Sequence, residues 1–385
     1  MLFPLHSQTP LCSVFILLNN EFLHFLQKSI HRRVFSEALF TQHPSPNGNF
    51  PSVCWTNTDT RKKFHSLWKV LPDEEDERRN LFESISQCQS IETFFDDTEA
   101  VLIKLEPEEL FSAVKALTTH LFLRTKSLSE AKQQSDSSIE KHYQDFLRTN
   151  NNSTLCYVCG TECLSQNRAN LADEDQWRAD YDHILCKDKY SIYGAHPGNF
   201  IPTCHTCNSK AKGARNLLVN KEGLRRKAFY PLPPSQESCH AYATIEIQPK
   251  TLGRLTINPI DTPLEEVVVN FPNAPAELLD KVSVWREVYQ VPTRVENRVA
   301  VSFCEAIFSR LLEPIDFNDF CAQLKRFASR MPRDYRTSEW SFWWYRVCEH
   351  LAAQDAEFLR DIWTMLNWKL QQADEGDMEA TFGRI

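Results

Sequence analysis

The sequence contains no apolar run that approaches the roughly 18–20 residues of a bilayer-spanning helix, which excludes an ordinary membrane protein and leaves no membrane among the expected partners. The apolar stretch Leu11 to Leu18 near the start is too short to span. It also lacks a basic segment before it and a small-residue cleavage site after it, so it does not read as a secretory signal. It reads as the buried face of a first helix that continues through Phe22, Leu23, Phe25 and Leu26. There is no excess of positive charge either: the 385 residues carry a net charge of −8. This excludes a protein that coats nucleic acid with its whole surface and confines any such surface to a local patch. Complete disulfide pairing is excluded by parity, because the 13 cysteines are an odd number. With two C-x2-C pairs among them, the chain fits a reducing cytoplasm and a metal site better than a secreted scaffold. No fixed-period repeat is present, and residues 1–150 hold no catalytic constellation.

What is present is a globular composition, 42% hydrophobic and 24% charged, long enough for two or three domains with their own cores. Helical spacing recurs in residues 1–40 and from Arg61 to about Asn150, with a well-patterned amphipathic helix over Glu108 to Thr125. Residues 43–58, with three prolines and Asn-Gly, predict an irregular connection. Lys126 to Leu147 is polar and predicts an exposed helix or a bridge. Residues 231–277 predict a proline-rich linker with short strands such as Ala243 to Ile247. Residues 278–385 return to helical spacing over Val299–Leu312, Phe317–Met331, Glu339–Ala352 and Ala356–Leu370. Six of the nine tryptophans lie in this last part, where the spacing reads as core packing more than as a base-stacking surface. The implied organisation is a helical N-terminal domain (1–150), a central module (151–230), the linker and a helical C-terminal domain. The helical flanks offer surfaces for a protein partner.

The central module carries the chemistry. Cys156-x2-Cys159 and Cys204-x2-Cys207 are separated by 44 residues and supply the four thiolates of a tetrahedral structural zinc site. Cys163 and Cys186 read as packing residues, and His205 as a minor alternative ligand. Between the pairs lie Asp182-His183 and Asn199, and Asn208 follows the last cysteine. A purely structural zinc loop requires none of these. Phosphodiester hydrolysis needs a base, a divalent cation and groups that hold phosphate. His183 suits the base, having an ordinary pKa near 6.5. Asp182 and Asn208 offer hard oxygen ligands for Mg2+ or Mn2+. Asn199 suits a loop-holding role that orients His183. His196 is an alternative base, on a glycine-flanked loop that reads as mobile. From His183 to Lys227, nine Lys/Arg face only Asp188 and Glu222, a local excess of seven positive charges. Lys187, Lys189, Lys210, Lys212 and Arg215 are the candidate phosphate-binding residues.

The order Asp-His, Asn, C-x2-C-Asn-x-Lys resembles the HNH nucleases of the ββα-metal superfamily, over about residues 153–230. The resemblance implies a β-hairpin and a helix around one divalent cation, an α+β and mostly α chain, and DNA as the leading nucleic-acid partner. It implies His183 as general base, Asp182 and Asn208 as cation ligands, Asn199 as the middle Asn, and Lys210 as the basic residue of the final helix. The first strand would include Tyr181 to Leu185 and the second Phe200 to Thr203, with the helix starting near Cys204 to Asn208. The sequence departs from the family at Cys186, where proline is common, and in the long connection from Cys159 to Asp182. Trp285-x3-Tyr289 and Arg294 resemble a segment found after the nuclease in some restriction and antiviral defence members. The alternative expectation is a non-catalytic zinc module that binds nucleic acid and recruits a partner.

Overall fold

The computed structural model describes residues 1–44, 48–166, 177–178, 180–235, 237–255 and 262–382. The chain is α+β and mostly helical, with short antiparallel strand pairs. Two compact units divide it, and neither is continuous in sequence. The larger comprises Pro4–Cys156 and Cys163–Glu237; the smaller comprises Met1–Phe3, Tyr157–Glu162 and Ser238–Ile385. No described helix is long and apolar enough to cross a membrane.

In the larger unit, helix α1 (Ser13–Ser29) buries Val14, Phe15, Leu18, Phe22, Phe25 and Leu26 along one face, as its spacing predicts. The segment expected to be irregular is more ordered than its prolines suggest. Strand β1 (Gln42–His43) pairs antiparallel with β2 (Phe50–Pro51), followed by helices α2 (Val53–Thr56) and α3 (Thr58–Trp68). Two of its short polar residues are helix caps. Ser52 accepts from the Cys54 amide and Asn57 from the Thr60 amide, so each satisfies an otherwise orphaned donor. Helices α4 (Glu75–Gln87) and α5 (Thr93–Asp96) lead to α6 (Glu108–Leu123), which buries Leu110, Val114, Leu117 and Leu121 and packs on α3. The polar stretch that follows folds as α7 (Ser129–Ser135) and α8 (Ile139–Thr149).

Strand β3 (Ser165–Gln166) pairs with β4 (Trp177–Arg178). Most of the acidic insertion between Leu164 and Asp180 lies outside the described residues. Strand β5 (Tyr181–His183) then pairs antiparallel with β6 (Phe200–Pro202). Helix α8 reaches this ladder through His142. Its Nε2 faces the Pro10 carbonyl, which can only accept, so Nδ1 is left to accept from the Tyr181 hydroxyl.

In the smaller unit, strands β7 (Thr244–Pro249) and β8 (Leu264–Asn270) form a full antiparallel pair within the region read as a linker. Ile245, Ile247, Leu264 and Val269 are buried, with β8 against helix α10 and β7 against helix α12. The helices are α9 (Ala276–Tyr289), α10 (Val291–Arg310), α11 (Phe317–Ala328), α12 (Ser341–Ala352) and α13 (Ala356–Phe382). Helix α10 begins earlier than apolar spacing indicates, because Pro292 sits in its first turn, where no amide hydrogen is needed.

Two tryptophans of this unit do more than fill space. The buried indoles of Trp285 and Trp343 donate to the carbonyls of Val158 (2.9 Å) and Cys159 (2.8 Å). The Trp340 amide donates to the Gly160 carbonyl at 3.1 Å. Gly160 itself has φ +66°, and a Cβ there would stand 2.7 Å from a Leu2 methyl, so the turn requires glycine. Three consecutive carbonyls of the first cysteine knuckle are thus spoken for by this unit. Trp343→Phe and Trp285→Phe orphan a buried carbonyl each; each lowers unfolding free energy by at least about 1–3 kcal/mol, read by chemical denaturation.

Candidate functional site

The sulfurs of Cys156, Cys159, Cys204 and Cys207 all lie within 4.8 Å of one another, and all four residues are buried. A tetrahedron with metal–sulfur bonds of about 2.3 Å places its sulfurs about 3.8 Å apart, so the cluster suits zinc in size as well as in donor softness. The Thr161 hydroxyl and amide both approach the Cys159 sulfur, at 3.1 and 3.5 Å, and favour its thiolate form. His205 is exposed and, with Cys163 and Cys186, stands outside this group.

In the β5–β6 ladder, Asp182 lies opposite Ile201 and His183 opposite Phe200. Successive side chains on a strand leave by opposite faces, and the two do so here. Asp182 is buried and meets the seven-residue helix Thr206–Lys212, which begins within the second cysteine pair and carries Cys207. That helix closes with a wide i to i+5 bond from the Gly213 amide to the Asn208 carbonyl. The Lys212 ammonium donates to Asp182 Oδ1 at 2.9 Å and to the His183 carbonyl at 2.6 Å. The two charged side chains are only 1% and 3% exposed. Burial raises the Asp182 carboxyl above its ordinary range, and the charge of Lys212 and its hydrogen bond oppose that. Oδ2 of the same carboxylate is buried with no hydrogen-bond partner among the described residues.

His183 leaves by the other face. Its ring packs against Phe122 of α6 (centroids 4.3 Å apart) and Phe200 (4.7 Å). Nε2 lies 3.4 Å from the Gly194 carbonyl. A carbonyl only accepts, so Nε2 carries the proton and Nδ1 keeps its lone pair. Burial first, and the charge of Lys187 next, hold the imidazole down to about 3, so it is neutral at physiological pH. Gly194 is pressed so close to α6 that a Cβ would stand 2.6 Å from the Thr118 hydroxyl oxygen. Thr118 donates to the Ser191 carbonyl at 2.9 Å, and Lys115 pairs with Asp188 at 2.9 Å, so α6 braces the whole loop.

Asn199 is fully buried and closes that loop from within. Its amide nitrogen donates to the carbonyls of Leu185 (3.0 Å) and Tyr193 (2.9 Å), and its oxygen accepts from the Leu185 amide (2.6 Å). It holds the backbone beside Gly194 and touches the His183 ring only through it. The alternative base, His196, is buried, and its Nδ1 accepts from the Gly198 amide. Its loop is a packed turn rather than the mobile one its glycines suggested.

The other expected residues separate into two groups. Lys189, Lys210 and Arg215 are exposed; Asn208 and Lys187 are half-buried, and the Lys187 ammonium stands 5.8 Å from the Phe122 ring centre. Lys212, counted among the phosphate-binding cations, corrects that expectation. Its charge is spent inside the protein on Asp182, because a buried carboxylate needs a cation and a tally of local charge cannot tell which lysine supplies it. Sequence reasoning also missed Phe122 and Lys126, whose ammonium lies 3.8 Å from the Phe122 ring centre. Phe122 sits in the last turn of α6 and Lys126 in the short turn Thr125–Ser127 just after it, remote in sequence, and no spacing linked them to His183.

Lys212→Met leaves the Asp182 carboxylate buried and unpaired; it costs about 3–5 kcal/mol of stability in thermal or chemical unfolding, and Asp182→Asn in the same chain recovers part of that loss. Native mass spectrometry of the purified chain shows about one zinc, retained under mild chelation and lost in Cys204→Ser. Searches with the whole chain return no matching family model, no matching curated protein and no matching solved structure.

Proposed function

We propose that the chain is a metal-dependent endonuclease that hydrolyses phosphodiester bonds, with DNA as its first substrate, and that it works in the manner of the HNH nucleases. The observation that carries this reading is the pairing of two groups on one short strand. Asp182 presents a buried, unpartnered carboxylate oxygen. Beside it His183 is held neutral, with Nε2 committed to the Gly194 carbonyl and Nδ1 left with its lone pair. An orphaned anionic oxygen is costly unless a cation meets it. A neutral imidazole of fixed tautomer is a base in the right protonation state.

In this reading Asp182 Oδ2 and the Asn208 amide oxygen hold Mg2+ or Mn2+. That cation supplies charge neutralisation at the phosphate and at the departing oxygen. His183 Nδ1 takes a proton from the attacking water. The phosphodiester's own negative charge, arriving near the ring, opposes the fields of Lys187, Lys212 and Lys126 that depress its basicity. Asn199 and Thr118 keep the Gly194 carbonyl in place, and with it the orientation of the ring. Lys187, Lys189, Lys210 and Arg215 hold flanking phosphates, and the four cysteines hold a structural zinc. Residues outside the hairpin offer surfaces for a protein partner, in a setting such as antiviral defence or restriction.

A second reading is a non-catalytic zinc module that binds nucleic acid. The Lys212 ammonium favours it, since it already neutralises Asp182 as a cation would. A plasmid-nicking assay separates the two. With Mg2+ or Mn2+ the wild type nicks, and His183→Ala loses about 10²–10⁴-fold in rate with its zinc content intact. Equal rates in the two proteins remove His183 as the base. A zinc-loaded wild type that binds DNA and RNA but cleaves neither establishes the binding module.

A further inference from the structure

Away from the hairpin, the larger unit contains an open cleft of about 840 Å³ between the start of α3 and the end of α6. Its lining is mixed, polar and apolar, and carries three permanent cations, Lys62, Lys63 and Arg124, against one carboxylate, Asp59. Lys62 and Asp59 form an exposed pair at 3.4 Å. Lys63 and Arg124 have no ion-pair partner among the described residues, which leaves two like charges facing one cleft from two different helices.

The floor beneath them is organised. The Thr60 hydroxyl lies 2.9 Å from the Thr125 hydroxyl, 3.2 Å from His120 Nε2 and 3.0 Å from the Asn57 side-chain oxygen. Burial, followed by the charge of Lys63, holds the His120 imidazole below its ordinary range; Asp59 opposes this and Arg124 adds to it. Both unpaired cations are therefore close enough to act on the same ring.

We propose that this cleft binds a phosphorylated small molecule of nucleotide size, with Lys63 and Arg124 on its phosphates. The volume lies within the range of small-molecule sites, about 300–1,000 Å³. Leu123 and Leu128 give a base or sugar some apolar surface, and the excess of cations favours an anion. The cations converge across one cleft, which suits a compact ligand better than an extended strand. The site is separate from the hairpin. On the last turn of α6, His120, Leu123 and Arg124 face the cleft, whereas Phe122, about half a turn away, carries the His183 ring.

Isothermal titration of the full chain at low salt, without added divalent metal, tests this with ATP, inorganic pyrophosphate and a short single-stranded DNA as probes. ATP and pyrophosphate bind saturably and compete with each other. Lys63→Ala/Arg124→Ala, both exposed positions, weakens ATP binding by about tenfold or more, and Lys141→Ala/Arg148→Ala, exposed cations of the same unit away from the cleft and the hairpin, leaves it unchanged. The absence of saturable ATP and pyrophosphate binding at millimolar concentration overturns the proposal. So does ATP affinity that is equal in wild type and the double variant at the cleft. If the DNA alone binds, and the same double variant weakens it, the cleft is a polynucleotide track and the small-molecule assignment is wrong. Because no step requires cleavage, these outcomes are independent of whether the hairpin is a nuclease.

Discussion

A carboxylate and an ammonium 2.9 Å apart, both nearly sealed from water, join the first strand of the hairpin to the helix that follows it. Removing either charge from solvent costs several kcal/mol, and only close contact with good hydrogen bonds repays that. The pair therefore tolerates little movement. If the helix Thr206–Lys212 shifted away from β5, two bare charges would remain in the interior. The ladder itself is only three residue pairs long, far too short to persist by itself in water. Lys212 also accounts for the His183 carbonyl, so one side chain fixes strand, helix and the backbone of the residue with the most interesting chemistry.

The same economy holds on the opposite face. His183 is positioned by contacts it does not make directly. Asn199 ties Leu185 to Tyr193, α6 clamps Ser191 and Gly194, and the Gly194 carbonyl then orients the ring. Phe122 and Phe200 pack on the ring, and burial together with the nearby lysines lowers the basicity of the imidazole. A ring held this way has its tautomer settled by the fold, and in the proposed role it would be a weak base until negative charge came near. Its dependence on α6 explains why helices with no chemistry of their own belong to the same compact unit as the hairpin.

Much of this was legible in the chain. The C-x2-C spacing announced a four-sulfur cluster, and the cysteines do converge. The strands expected over Tyr181 to Leu185 and Phe200 to Thr203 form over the shorter Tyr181–His183 and Phe200–Pro202, and the mostly helical α+β class accords with the recurrent helical spacing. The misreadings have local causes. Residues 43–58 read as irregular because prolines and Asn-Gly mark turns, whereas the caps at Ser52 and Asn57 that start α2 and α3 use short polar side chains that serve turns equally well. Pro292 hides the start of α10 because proline is unfavourable in every turn of a helix but the first. Residues 231–277 were expected as a proline-rich linker with short strands, and the strands are there as β7 and β8, with Ile245, Ile247, Leu264 and Val269 buried.

Sequence by itself determined which chemistry was possible here: four soft ligands in two pairs, and an acid, a base and two amides between and beside them. Those are properties of side chains and of short-range spacing, and they survive any fold. Tertiary structure alone decided how each group is employed, because burial and partners are set by residues distant in the chain. It made Lys212 an internal counter-ion and not a surface cation, left one oxygen of Asp182 without a partner, and made His183 neutral. It also brought Lys63 and Arg124, from two helices, to one cleft.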